Sequence, residues 1–231
     1  MSKAPRVWIT RTQPGADATA SRLRQMGWEP VVVPLLEVRA INGAMNSAPA
    51  PDEIACLALT SPNTIDTIRG DLAAYRDVPT FAVGDATAEC ARNAGLTNVQ
   101  SAKGDIQALA RLIASQIKGG TVFAPGAQEP AGDLPALLPT LKVIRLAVYE
   151  TVPTDADAPD AIDAILIHSP RAARLLAKQM QGQSGTNARV VTISKAAAAP
   201  LRDIFAAEIH IAVTPDEDAV LRTLGNSASP V

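Results

Sequence analysis

Short apolar runs alternate along the chain with longer stretches of helical periodicity. Val7–Thr10 (VWIT) lies between Pro5 and the polar segment Arg11-Thr12-Gln13-Pro14. From there Ala16, Ala20, Leu23 and Met26 recur at helical spacing, and Gly27 supplies a stop. Glu29–Leu36 reads as a second strand, interrupted by Pro34. Further strand runs are Ile54–Thr60, Thr80–Val83, Val99–Ala102, Thr121–Ala124, Val143–Glu150, Ala164–Ile167, Val190–Ile193 and His210–Val213. Between them the pattern predicts helices from about Thr64, from Asp85 to about Ala94, over Ile106–Ile117, Leu134–Leu138 and Arg171–Met180, from Ala196 to about Phe205, and over Glu217–Leu224. Strand–helix alternation of this kind predicts an α/β protein with parallel sheets covered by helices on both faces.

The two halves echo each other. AVGDATAECARNA from Ala82 aligns with TISKAAAAPLRDI from Thr192 at an offset of 110, and LALTSPNTIDTI from Leu57 with ILIHSPRAARLL from Ile165 at 108. VWITRTQPGADAT from Val7 aligns with VFAPGAQEPAGDL from Val122 at 115. Identities are sparse, but three blocks in one order point to an internal duplication and two flavodoxin-like parallel-sheet domains. Such sheets bind ligands outside the carboxyl ends of their strands.

Composition narrows the function classes. Hydrophobic residues make up 47% of the 231 positions and charged residues 19%, so the chain is neither disordered nor fibrous. Aromatics are only 3%, which leaves no broad stacking platform for bases, and the net charge of −2 lacks the basic excess of a nucleic-acid binder. Cys56 and Cys90 belong to no C-x-x-C pair and read as buried reduced thiols. No stretch approaches the roughly 20 apolar residues of a membrane span, and the opening MSKAPRVWITRT has no apolar run long enough for a signal peptide, so a soluble, cytoplasmic protein is expected.

The segments just after the strands carry the chemistry. They are Arg11-Thr12-Gln13-Pro14, Ser61-Pro62-Asn63-Thr64, Gly84-Asp85-Ala86-Thr87, His168-Ser169-Pro170-Arg171 and Ser194-Lys195. Hydroxyls there can cap helices, and the same geometry aims backbone N–H groups and a positive dipole end at a ligand. Repetition of the device favours a multiply anionic ligand. No dinucleotide or P-loop glycine pattern is present, and His168 and His210 stand alone without metal-ligand spacing. Asp155, Asp157, Asp160 and Asp163 read as a solvated linker. Tyr149, at a strand end in VYETVP, is either a core aromatic with its hydroxyl bonded locally or a proton donor at a cleft; Tyr75 sits in an ordinary helix-end context.

In these residues the chain resembles the uroporphyrinogen-III synthases of haem and sirohaem biosynthesis. The marks are ITRTQPGADATASRLRQMGWEPVVVPLLEV, LTSPNTI at Leu59–Ile65, AVGDATAECARNAG at Ala82–Gly95, VYETVP at Val148–Pro153 and IHSPRAA at Ile167–Ala173. The resemblance implies one domain from residues 1–36 and 151–231, another from 39–148, and a two-stranded ladder from Pro34–Val38 and Val148–Val152. It implies a monomer with no metal or organic cofactor, and charge balance and hydropathy point to binding of neither nucleic acid nor membrane. The implied reaction takes hydroxymethylbilane, a linear tetrapyrrole with eight carboxylates, expels its terminal hydroxyl, inverts the last pyrrole ring and closes the macrocycle.

On that resemblance Tyr149 is the candidate for helping the hydroxyl depart, and Ser61, Asn63, Gly84, Thr87, Ser169 and Arg11 match substrate-facing positions. The sequence also departs from the family pattern. The glycine-and-threonine turn expected in the second half is ISKAAAA, with Ser194 and Lys195, and the Arg-Gly expected after the strand at Thr121 is Ala124-Pro125-Gly126. Either Lys195 and Arg171 compensate electrostatically, or that wall of the site is altered. The alternative reading is a non-catalytic tetrapyrrole-binding or regulatory module on the same scaffold. A periplasmic-type solute binder lacks its export signal, and a dinucleotide dehydrogenase its glycine fingerprint.

Overall fold

The apolar runs become strands, and the central ones, such as Cys56–Leu59 and Ala164–Ile167, are buried on both faces. In chain order the elements are β1 (Arg6–Ile9), α1 (Gly15–Gln25), β2 (Glu29–Val32), β3 (Leu36–Ala40), β4 (Cys56–Leu59), α2 (Pro62–Thr67), β5 (Thr80–Ala82), α3 (Asp85–Asn93), β6 (Val99–Ser101), α4 (Ile106–Gln116), β7 (Thr121–Ala127), α5 (Leu134–Leu137), β8 (Lys142–Pro153), β9 (Ala164–Ile167), α6 (Pro170–Met180), β10 (Arg189–Thr192), α7 (Lys195–Ala198), β11 (Ile209–Ile211) and α8 (Glu217–Leu224). Short 3-10 turns add Ala44–Ser47, Pro51–Glu53, Leu72–Tyr75 and Ala199–Leu201. The computed structural model describes residues 3–181, 187–205 and 209–227. Its contacts divide the chain into two units, Met1–Glu37 with Val152–Val231, and Val38–Thr151.

The discontinuous unit holds a five-stranded sheet in the order β11-β10-β9-β1-β2, with every neighbouring pair parallel. Alternation along the strands splits the core into two layers. Trp8, Ile165, Ile167 and Val190 pack against Ala173 and Leu176 of α6 and Ala197 of α7. Val7, Ile9, Ala164, Leu166 and Val191 pack instead against Leu23 of α1 and Val220 and Leu224 of α8. The Trp8 indole, fully buried, donates to the Val33 carbonyl at 2.7 Å.

The continuous unit holds a sheet in the order β3-β8-β7-β4-β5-β6, parallel from β8 through β6. On one face Leu57, Leu59 and Phe123 meet Ile65 of α2, Ala91 of α3 and Tyr75. On the other, Cys56, Ala58, Phe81 and Val122 meet Leu109 and Ile113 of α4 and Leu134 of α5. Both thiols are free; Cys56 is buried, as expected, whereas Cys90 on α3 is only half-buried.

Prolines move several expected boundaries. Glu29–Leu36 is not one strand: the chain breaks around Pro34, and β2 and β3 belong to different sheets, each at an edge. Pro30 is tolerated inside β2 because an edge strand can dispense with one N–H. The helix expected from Ala196 to Phe205 is cut to α7 and one 3-10 turn, where Pro200 lacks the N–H that would continue it. Conversely, β7 runs past Ala124 through Pro125 to Ala127, since its pairing with β4 ends at Phe123 and only β8 continues beside it.

Candidate active site

In the continuous unit, Ser61 follows β4 and Gly84 follows β5, so both lie at the carboxyl edge of neighbouring parallel strands. The Ser61 hydroxyl accepts from the Asn63 N–H at 3.2 Å, capping α2. Gly84 begins α3 in extended backbone and has no side chain with which to cap it. Thr87, expected to face substrate, is 3% exposed on the first turn of α3.

Tyr149 and Ser61 line one cavity of about 560 Å³, together with Thr60, Asp105, Arg145 and Thr151. The last four escaped the sequence reading. Thr60 and Asp105 carry the strand-end signal that could have found them: Thr60 directly follows β4, and Asp105 follows β6 and caps α4 by accepting from the Ala108 N–H at 2.9 Å. The cavity floor is shaped by glycines. A Cβ on Gly132 would come within 2.8 Å of Ile106 Cδ1, and one on Gly126 would sit 3.9 and 4.0 Å from the Thr60 and Thr64 hydroxyls. Thr64 Oγ1 is itself buried without a hydrogen-bond partner.

Tyr149 is positioned by an irregularity. Pairing between β7 and β8 advances evenly from Thr121↔Lys142 to Gly126↔Ala147, then skips Val148 so that Ala127 faces Tyr149. An extra residue of this kind re-aims the side chains that follow it, and here Val148 and Tyr149 both end up buried in the same core layer. Tyr149 is 6% exposed, and its hydroxyl makes no hydrogen bond among the described residues. The ring thus belongs to the core layer, while its hydroxyl lacks the local bond expected of a purely structural tyrosine. Tyr75, by contrast, donates to the Pro49 carbonyl at 2.7 Å and packs 5.8 Å from the Phe123 ring.

The remaining candidates belong to the discontinuous unit. Arg11 follows β1, Ser169 and Arg171 follow β9, and Ser194 and Lys195 follow β10, again at one edge of parallel strands. Ser169 accepts from the Ala172 N–H at 3.1 Å and Ser194 from the Ala197 N–H at 3.3 Å. A capping hydroxyl uses its lone pair and keeps its own proton to donate, so capping and carboxylate binding are compatible. Lys195 is exposed and Arg171 half-buried.

Arg11 is committed to an ion pair. Its Nη1 lies 2.7 Å from Glu217 Oε2, which also meets His168 Nε2 at 2.9 Å, while Thr19 donates to Glu217 Oε1 at 2.6 Å. Gly15 makes room for the guanidinium, since a Cβ there would come within 2.5 Å of Arg11 Nη2. Burial alone would raise the Glu217 carboxyl, but the hydrogen bond and charge of His168, the Thr19 hydroxyl and Arg11 together hold it down at about 2. His168, alone in the sequence, thus joins a polar cluster at the ends of β1 and β9.

Burial pushes the Cys56 thiol up to about 12, which removes it as a nucleophile. Among the described residues, no group of three or more His, Cys, Asp or Glu side chains is arranged to hold a metal ion, and no helix is long and apolar enough to cross a membrane.

Two parallel-sheet α/β units, with helix-capping hydroxyls at the carboxyl edge of each sheet and cations there in the discontinuous unit, define the class of α/β protein to which the chain belongs. The profile of the family described as Uroporphyrinogen-III synthase HemD matches residues 17–222, and the chain belongs to that family. No curated protein sequence matches it. Among solved structures it is similar to uroporphyrinogen-III synthetase from Helicobacter pylori, at 15% identity and TM-score 0.67 over 96% of this chain and 98% of that one. It is also similar to a mutant uroporphyrinogen III synthase from Thermus thermophilus, at 14% identity and TM-score 0.56 over 96% of each chain. At these identities the likeness concerns the fold.

Proposed function

We propose that this protein is a uroporphyrinogen-III synthase that works as a cyclising hydro-lyase, closing hydroxymethylbilane with loss of water and inversion of the terminal ring. The observation that carries the chemical role is the buried Tyr149 on the wall of a cavity, its hydroxyl unpartnered. The phenol lends its proton to the terminal hydroxyl, which departs as water. A proton released from the substrate as the new carbon–carbon bond forms restores the phenol. The linear substrate also closes without inversion on its own, so the protein's larger task is to hold the chain ends in the inverting geometry.

A substrate with eight carboxylates suits the donors present. Ser61, Ser169 and Ser194 each keep a hydroxyl proton while capping a helix, Asn63 and the uncapped α3 start at Gly84, ahead of the buried Thr87, add polar and backbone donors, and Lys195 and Arg171 supply positive charge. Arg11 acts through the Glu217 cluster rather than as a free cation. The reading extends to a monomer acting in the cytoplasm without metal or nucleic acid. It also takes the units as a duplicated pair of domains, 1–36 with 151–231 and 39–148, joined by ladder strands. The sequence offsets and the division of contacts at Glu37/Val38 and Thr151/Val152 support that view.

The test is the rate at which hydroxymethylbilane, generated in situ, is consumed. Consumption well above spontaneous closure, with a KM that rises with salt as exposed charges are screened, is the expected result. Consumption at the uncatalysed rate across all protein concentrations contradicts it.

A further inference from the structure

Arg145 is the single cation among the described residues lining the Tyr149 cavity. Its side chain is exposed on β8 and makes no hydrogen bond or ion pair with any described residue. A guanidinium presents five donors in a planar fork that matches a carboxylate, and one left without a partner on a cavity wall is poised for such a ligand. The register places it directly beside Ala124 of β7, which also lines the cavity and offers it no polar group.

The other charges on the wall sharpen the argument. Asp105 and Glu129 also line the cavity, and Asp105 is held in place as the cap of α4. Without Arg145 the lining would hold no positive charge. With it, one point on the wall attracts a carboxylate, which fixes where a carboxylate can sit. Tyr149 lies four residues further along the same strand, roughly 13 Å at extended spacing, so a ligand touching both must lie along the cavity.

We infer that Arg145 is a specificity-determining residue that binds one substrate carboxylate at the β7–β8 edge and thereby sets the tetrapyrrole's position relative to Tyr149. The inference rests on the synthase reading for the identity of its ligand.

The test uses the full chain as wild type, Arg145→Gln and Arg145→Lys, with two readouts. The first is KM and kcat for hydroxymethylbilane; the second is the Kd of uroporphyrin III, the stable octacarboxylate, measured by fluorescence quenching. Arg145→Gln is expected to raise both KM and Kd at least tenfold while kcat stays within about threefold, and Arg145→Lys to recover most of the loss by restoring the charge. An exposed residue without partners leaves folding intact, which an unchanged circular dichroism melt verifies. KM and Kd within twofold of wild type in Arg145→Gln overturn the inference. If the wild type forms no type III isomer, the synthase reading fails, and Kd alone decides Arg145: a tenfold weakening in Arg145→Gln upholds the carboxylate site, whereas equal affinity, or no binding by the wild type, removes it.

Discussion

Tyr149 and Tyr75 show how one side chain takes two roles in one unit. Both are buried, yet Tyr75 satisfies its hydroxyl on the Pro49 carbonyl and Tyr149 leaves its own unpartnered beside a cavity. Removing the Tyr149 oxygen therefore breaks no hydrogen bond of the fold. Tyr149→Phe is expected to lower kcat by about two orders of magnitude, the scale of a positioned proton donor, with a melting temperature within about 2 °C of wild type. A matching loss of melting temperature would make the residue structural. Glu217 gives a second prediction at this scale. Its carboxyl is held at about 2 against an ordinary 4.5, so the native state binds its proton less readily than the unfolded state does. The stabilisation is full above about pH 4.5 and is lost as pH falls towards 2. With the side chain 22% exposed, it amounts to at most about 3 kcal/mol. Urea unfolding at pH 7 and at pH 3 should show Glu217→Gln less stable than wild type at pH 7 and nearer to it at pH 3. An equal gap at both would place the cluster's contribution elsewhere.

At the scale of elements, hydrophobic patterning was a sound guide to where the buried strands and amphipathic helices lie. Ala164–Ile167 and Glu217–Leu224 fall where periodicity places them. It failed where backbone hydrogen bonding, rather than burial, decides the boundary. Pro34 divides a continuous apolar run between two sheets, Pro200 shortens α7, and Pro125 is admitted to β7 only because β4 pairing has already ended. None of these outcomes is visible without knowing which neighbours each strand has. The caps were legible, because Ser-Pro at a strand end leaves few alternatives to an N-cap. For Ser169, capping the long helix α6, replacement by Ala is expected to cost about 1 kcal/mol in urea unfolding and replacement by Gly only a few tenths. Equal losses would mean that the hydroxyl is held by something other than the helix start.

For the whole molecule, the strand-end segments were readable because a parallel α/β sheet places its strand-to-helix loops at the carboxyl edge. The wall of the cavity was not. Arg145 lies in mid-strand and becomes a site residue only through its register with Ala124, and Tyr149 reaches its position through an irregular step at Val148 that leaves no mark in the residue pattern. The His168–Glu217–Arg11 cluster likewise joins three distant parts of the sequence. Family membership and these sites converge on one claim, that the protein directs ring closure rather than merely binding a tetrapyrrole. The most direct measurement is the isomer identity of the product: hydroxymethylbilane is generated in situ with the protein present, the products are oxidised, and the type I and type III isomers are separated by chromatography. Predominantly type III product, in proportion to added protein, is the predicted result. Type I alone, whatever the amount of protein, would contradict it.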